Sequence, residues 1–173
     1  MILKIVRCSV LIKVKRMQGR EHEDFKWVPA RGGEIPENAI VGGMEDTGAP
    51  LFVARHLHME SMVVGKAAPQ IKGMTFGYDC REHHTSEYEV LVGDARKVHW
   101  IPCFGQLKSC EKTPLKAGYE ADGLELFACK TRLSMGEVIG KVSTDMSKGM
   151  IYSYTGKECS VKNFDIYYIL CVE

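Results

Sequence analysis

Two glutamate–lysine pairs stand at corresponding places in the two halves of this sequence. Glu45 precedes Lys66 by 21 residues, and Glu120 precedes Lys141 by the same interval. A carboxylate accepts hydrogen bonds and an ammonium group donates them, so each pair is able to hold a ligand that is rich in hydroxyl groups. The same two groups can also form an exposed salt bridge that contributes little to stability. The spacing alone leaves both interpretations open.

The two pairs belong to an internal duplication of the chain. The offset between matching segments grows from 73 residues at the tryptophans to 79 at the end of the units, which small insertions in turns explain. We therefore predict an N-terminal extension over residues 1–26 and two repeats, 27–92 and 100–172, that form one compact unit. The matching segments are Trp27–Pro29 with Trp100–Pro102, Gly43–Phe52 with Gly118–Phe127, Val63–Lys66 with Val138–Lys141, Gly73–Met74 with Gly149–Met150, and Tyr88–Leu91 with Tyr167–Leu170.

Each repeat has the pattern of short strands separated by glycine turns. No stretch after the N-terminal extension shows a helical period over three turns. With 17 glycines in the chain, this pattern predicts a mostly β fold in which two repeats of short antiparallel strands pack with pseudo-twofold symmetry. The predicted strands are Leu51–Arg55, Thr75–Tyr78 and Tyr88–Val92, with counterparts at Leu126–Cys129, Met150–Tyr154 and Ile166–Val172.

The N-terminal extension is apolar and basic. Apolar residues between positions 2 and 14 fall mostly on even numbers, which favours a strand with one buried face over a basic helix on a membrane surface. Lys4, Arg7 and Lys13 interrupt every apolar run, so neither a secretory signal nor a transmembrane helix is expected. The sequence predicts a cytoplasmic protein, or one that is released without a classical signal peptide.

Composition excludes further classes of function. The chain carries 23 basic and 22 acidic residues, and this net charge of +1 argues against a nucleic-acid-binding protein. The seven cysteines are odd in number, irregularly spaced and without a CxxC pair, a pattern typical of reduced thiols. No nucleophile–base motif, metal motif or nucleotide fingerprint is present, so we expect neither catalysis nor a cofactor.

The order of the repeated motifs resembles the DM9 repeat. The first unit carries Trp27, the segment Gly33–Ala39 that reads Gly-Glu-Ile-Pro-Glu-Asn-Ala, the strand Leu51–Arg55, Gly65-Lys66 and Tyr88–Leu91. The second unit lacks the Ile-Pro-x-Asn-Ala segment, and it has Lys130 where Arg55 stands in the first. The resemblance extends over residues 27–172.

This resemblance implies a function, because tandem-DM9 proteins of bivalve molluscs are calcium-independent, mannose-specific lectins of innate immunity. In that family an aspartate and the lysine of the Gly-Lys motif hold the sugar, which implies carbohydrate-binding roles for Glu45, Lys66, Glu120 and Lys141. This chain has glutamate at both aspartate positions. The family also implies a homodimer that recognises mannose-containing glycans, such as those on microbial surfaces, and agglutinates them.

Other interpretations stay open beside the lectin. The protein can be an intracellular interaction module without sugar binding, and an exposed apolar patch away from Glu45 and Glu120 would favour this. Candidates for a metal site are His56, His58, the His83-His84 pair and Cys80, although the second repeat has no histidine at the matching places. Glu82 and Glu158 also repeat, and they either support the ligand site or cap a hairpin.

Overall fold

The computed structural model describes residues 19–162 and 165–172, and this part of the chain is built almost entirely of strands. It contains one short 3-10 helix, Ala95–Lys97. The first seven strands are β1 (Phe25–Arg31), β2 (Val41–Glu45), β3 (Pro50–His58), β4 (Ser61–Ala68), β5 (Gly73–Tyr78), β6 (Arg81–Thr85) and β7 (Glu87–Gly93). The next seven are β8 (Val98–Phe104), β9 (Lys116–Tyr119), β10 (Glu125–Leu133), β11 (Gly136–Val142), β12 (Ile151–Tyr154), β13 (Lys157–Ser160) and β14 (Ile166–Val172).

The same pattern of antiparallel pairing occurs in both sets of seven strands. In the first set, β1 pairs with β7, β3 pairs with β2, β4 and β7, and β5 pairs with β4 and β6. In the second set, β8 pairs with β14, β10 pairs with β9, β11 and β14, and β12 pairs with β11 and β13. The predicted mostly β fold with two tandem repeats of short antiparallel strands is confirmed.

The two sets of strands also pair with each other, and they do so reciprocally. Strand β2 pairs with β11 at Glu45 and Gly136, while the equivalent strands β9 and β4 pair at Tyr119 and Met62. Strand β6 pairs with its own counterpart β13. This reciprocity is the predicted pseudo-twofold symmetry, and its axis runs between β6 and β13.

The largest hydrophobic core is shared by both repeats. It combines buried side chains of the first repeat, such as Val53 and Leu91, with buried side chains of the second, such as Leu126 and Ile139. Each repeat has in addition a smaller core of its own. Because a large part of the apolar surface is buried only across the junction, the two repeats stabilise each other.

All six strands predicted as short runs between turn residues are present, within two residues at their N-terminal ends and four at their C-terminal ends. Strand β4, which carries Lys66, was not predicted, because seven of its eight residues are buried and it shows no alternation. The predicted strand between residues 2 and 14 lies outside the described residues. Among the residues that are described, no helix is long and apolar enough to cross a membrane.

Candidate functional site

The lysines of the Gly-Lys motifs lie on two equivalent strands, Lys66 on β4 and Lys141 on β11. The preceding glycines let neighbouring strands approach closely. A Cβ atom at Gly65 would lie 2.2 Å from the carbonyl oxygen of Thr75, and one at Gly140 would lie 2.1 Å from that of Ile151. Only glycine fits these positions, so each lysine follows a point where the backbone is held against the next strand.

Lys66 is the centre of a first polar cluster at the junction of the repeats. Its Nζ donates to the carbonyl oxygen of Ser153 at 2.6 Å and to Ser153 Oγ at 3.1 Å. The same Nζ lies 3.6 Å from Glu82 Oε2, and the two side chains are 11% and 22% exposed. Three acceptors therefore fix the orientation of the ammonium group, and the carboxylate keeps a face towards solvent.

Glu45 lies at the end of β2 and acts on this cluster through its charge. Burial lowers the pKa of Lys66, and the negative charges of Glu82 and then Glu45 partly oppose that shift. Within the described residues no ion pair shorter than 4 Å joins Glu45 to Lys66. In the first repeat the lysine is thus paired with Glu82, and the pair that the sequence indicated is held further apart.

Lys141 is the centre of the second polar cluster. Its Nζ donates to Glu120 Oε1 at 3.2 Å, so the second predicted pair is brought into direct contact. Glu158 Oε1 lies 3.9 Å away, and the lysine side chain is 5% exposed against 23% for Glu120 and 18% for Glu158. The Nζ also lies 5.5 Å from the centre of the Tyr78 ring, which adds a cation–π contact from the first repeat.

Glu82 and Glu158 connect the clusters to the opposite repeat. The backbone N–H of Gly156 donates to Glu82 Oε1 at 3.2 Å, and the backbone N–H of Cys80 donates to Glu158 Oε2 at 3.0 Å. In each glutamate, one carboxylate oxygen accepts a hydrogen bond from a hairpin of the other repeat, and the other oxygen faces a lysine of its own repeat. The hairpin contact, one of the two roles that the sequence left as alternatives, is therefore present in both repeats.

The second cluster has an aromatic and histidine-rich surrounding. The ring of His58 lies 4.8 Å from Tyr78 and 5.0 Å from His83, and Phe76 stacks on His83 at 5.4 Å. Burial, followed by the charges of His83, His56 and Lys141, lowers the pKa of His58. The second repeat has Leu133 at the position of His58, Tyr154 at that of Tyr78, Cys159 at that of His83 and Tyr152 at that of Phe76. In the described part of the chain, no group of three or more metal-binding side chains is arranged to hold a metal ion.

Sequence reasoning missed two residues of these clusters. Tyr78 could have been found, because Tyr154 repeats it at an offset of 76. Ser153 has no such signal, since Gly77 stands at the equivalent place. The clusters therefore share a lysine and a cross-repeat glutamate but differ in their other contacts.

Comparisons with known proteins give a family and a fold. A family model described as DM9 repeat matches the chain at residues 9–85 and again at 69–161. The bounds of these matches differ from those of the two predicted repeats, 27–92 and 100–172, and the bounds of the repeats stay predictions. The crystal structure of the nematode sperm cell motility protein MFP2B is similar, with a TM-score of 0.60 and 14% sequence identity. The similarity covers 87% of this chain but 45% of that one, and at this identity it shows the fold alone. No curated protein matches the sequence.

Proposed function

This chain belongs to the DM9 repeat family, and from this we propose that it is a calcium-independent lectin for mannose-type glycans. Each repeat supplies one site, centred on Lys66 with Glu45 in the first and on Lys141 with Glu120 in the second. Glu82 and Glu158 complete the two sites as further acceptors. The proposed function involves neither catalysis nor a cofactor.

The observation that carries the proposal is that in both repeats a largely buried lysine lies within 4 Å of a partly exposed carboxylate. Vicinal hydroxyl groups of a sugar donate to carboxylate oxygens and accept from an ammonium group. Hydrogen bonds to charged partners contribute roughly 1.5–3 kcal/mol each when well formed. A cluster that already orients its lysine loses little conformational entropy when the sugar binds.

Stability alone is a weak explanation for the two clusters. A buried ion pair stabilises a protein little, because removing both charges from water offsets most of the attraction between them. The burial that lowers the pKa of Lys66 is this same desolvation. Perturbed ionisable groups are concentrated at functional sites, which supports a binding role for the lysine.

Two sites per chain give the proposed lectin its biological effect. One monosaccharide site of this kind has a Kd of roughly 0.1–1 mM, because water competes for the same groups. Joining two sites in one chain, and two chains in a homodimer, raises the avidity for a glycan surface by about 10²–10⁴. We propose agglutination of mannose-bearing microbial surfaces in innate immunity as the resulting role.

Titration calorimetry with mannose in the presence of EDTA tests the proposal. Wild type, Lys66→Ala, Lys141→Ala and the double variant are compared, together with binding to mannan-coated beads. We expect each single variant to keep one site per chain and to crosslink beads less than the wild type, and the double variant to lose all binding. Retention of binding in EDTA establishes that calcium is not required.

Lys130→Ala is the matched control for these variants. It removes a lysine that is 19% exposed and lies 3.3 Å from Glu137, so it breaks a comparable ion pair outside the two clusters. This variant is expected to bind mannose like the wild type. An absence of heat with mannose and mannan, while all variants unfold cooperatively, would refute the lectin proposal.

A second candidate function is that of an interaction module without sugar binding, and one observation favours it. Phe104 on β8 and Ile166 on β14 face each other in the strand register and are 73% and 52% exposed. Exposed apolar residues that adjoin one another are typical of protein contacts. This function would be supported if the wild type binds a protein partner but not mannose, and if the Phe104→Ser variant no longer binds that partner.

A further inference from the structure

Three thiols come together in the second repeat, away from both polar clusters. Cys103 lies on β8, Cys171 lies on β14, and Cys110 lies in the connection between β8 and β9. The sulfur atoms of Cys110 and Cys171 are 3.6 Å apart. Cys110 also contacts Cys103 through a side-chain hydrogen bond. All three cysteines are reduced in the structure.

The connection that carries Cys110 is held against β14 by its backbone. The N–H of Leu115 donates to the carbonyl oxygen of Leu170 at 3.1 Å, and Pro114 forms a bridge with Cys171. The Cys171 thiol points at the carbonyl oxygen of Lys112, 3.7 Å away. Since a disulfide needs a sulfur–sulfur distance of about 2.05 Å, the two atoms must approach by only ~1.5 Å.

We propose that Cys110 and Cys171 are an oxidation site at which a peroxide forms a reversible disulfide that fixes the β8–β9 connection to β14. Hydrogen peroxide first oxidises the Cys110 thiol to a sulfenic acid and is itself reduced to water. The Cys171 sulfur gives up its proton as it attacks this sulfur, the disulfide bond forms, and the sulfenic hydroxyl group leaves with that proton as a second water. Two thiols and one peroxide thus give one disulfide and two waters.

The order of these steps follows from burial. Cys171 is fully buried and Cys110 is half-exposed, so Cys110 is the thiol of this pair that peroxide can reach. Burial raises the pKa of Cys171 above its ordinary range and that of Cys103 to about 12, so both remain protonated at neutral pH. Because the thiolate is the reactive form, Cys103 and Cys171 react slowly with peroxide themselves, and the first oxidation takes place at Cys110.

The disulfide would close a long loop, since its two cysteines are 61 positions apart. Closing a loop of this length restricts the unfolded chain and stabilises the folded state. The bond would also anchor the segment that leads into β9, which immediately precedes Glu120. This proposal does not depend on the proposed sugar binding.

Peptide mapping of the peroxide-treated full chain tests the site. Trypsin places the three thiols in separate peptides, 98–108 for Cys103, 109–112 for Cys110 and 163–173 for Cys171. We expect a species that has lost the mass of two hydrogens, a linked pair of peptides 109–112 and 163–173, and a Tm higher by about 10 °C. Dithiothreitol should reverse all three changes.

Cys110→Ser should abolish the linked peptides and the rise in Tm, while Cys80→Ser, which changes an exposed thiol elsewhere, should leave both intact. Cys110 is half-exposed, so its serine variant is expected to fold. A link from Cys110 to Cys103 or Cys8 instead would overturn the assignment of Cys171. Oxidation that stops at a sulfinic acid on Cys110, or an unchanged Tm after linkage, would also overturn the proposal.

Discussion

At the scale of single residues, the cross-repeat glutamates are what the polar clusters have in common. Each lysine lies within 4 Å of a glutamate that also binds a backbone N–H of the opposite repeat. Direct contact with the predicted partner occurs only between Lys141 and Glu120. A charged group that is tied to the partner repeat couples the geometry of each cluster to the assembly of the whole chain.

His58, which lies beside the second polar cluster, makes the stability of the folded chain depend on pH. Its pKa is lowered in the folded chain, first by burial and then by the charges of His83, His56 and Lys141. The unfolded chain therefore binds a proton near pH 6.5 that the folded chain does not, and stability is lost as the pH falls through this value. The substitution His58→Leu introduces the residue type that the second repeat has at the equivalent position, Leu133. We expect this variant to gain stability relative to the wild type between pH 7 and pH 5.

Urea unfolding at pH 7, 6 and 5 measures this difference. His84→Leu is the control, because His84 lies outside the ring cluster and bonds instead to the carbonyl oxygen of Ile71. The comparison of the two variants separates the effect of the ring cluster from the loss of one histidine. A wild type and a His58→Leu variant that lose stability in parallel would rule out His58 as the source of the acid sensitivity.

At the scale of strands, the Gly-Lys motif is a packing device as much as a chemical one. In Gly140→Ala the new methyl group meets the carbonyl oxygen of Ile151 at 2.1 Å, so β11 and β12 must move apart. We expect a loss of about 3 kcal/mol in the free energy of unfolding. Gly65→Ala should cost a similar amount, because its methyl group meets the carbonyl oxygen of Thr75 at 2.2 Å.

Gly32→Ala is the control for this pair of variants. Gly32 has a positive φ of 59° but open space around it, so alanine there introduces only backbone strain. That strain costs about 1 kcal/mol. Equal destabilisation by Gly32→Ala and Gly140→Ala, measured by urea unfolding, would contradict the packing role of the motif.

The strands also show what sequence patterns can predict. Strand β7 is a β-rich run between turn residues, and so its position was found from the sequence. Strand β4 is buried on both faces, which removes the alternation by which strands are recognised. The contact of Lys66 with Ser153 and Glu82 joins β4 to strands far along the chain. Such contacts depend on how the repeats pack, which no local pattern encodes.

At the scale of the whole molecule, the duplication produces one fold from two incomplete halves. The shared core needs residues from both repeats, and β2, β4 and β6 each pair with a strand of the other repeat. The polar clusters depend on the same junction, because Ser153 reaches Lys66 and Tyr78 reaches Lys141 across it. The symmetry that doubles the candidate sites is thus also a condition for forming either one.

This dependence predicts that neither repeat folds alone. Separate fragments 1–96 and 97–173 each expose the half of the shared core that the other covers. We expect each to lack a near-UV circular dichroism signal and a cooperative urea transition, and an equimolar mixture to recover both. The mixture is its own control, since it contains every residue and lacks only the peptide bond between the repeats. A fragment that unfolds cooperatively by itself would show that the junction joins two independently stable domains, and the clusters would then have to be explained without it.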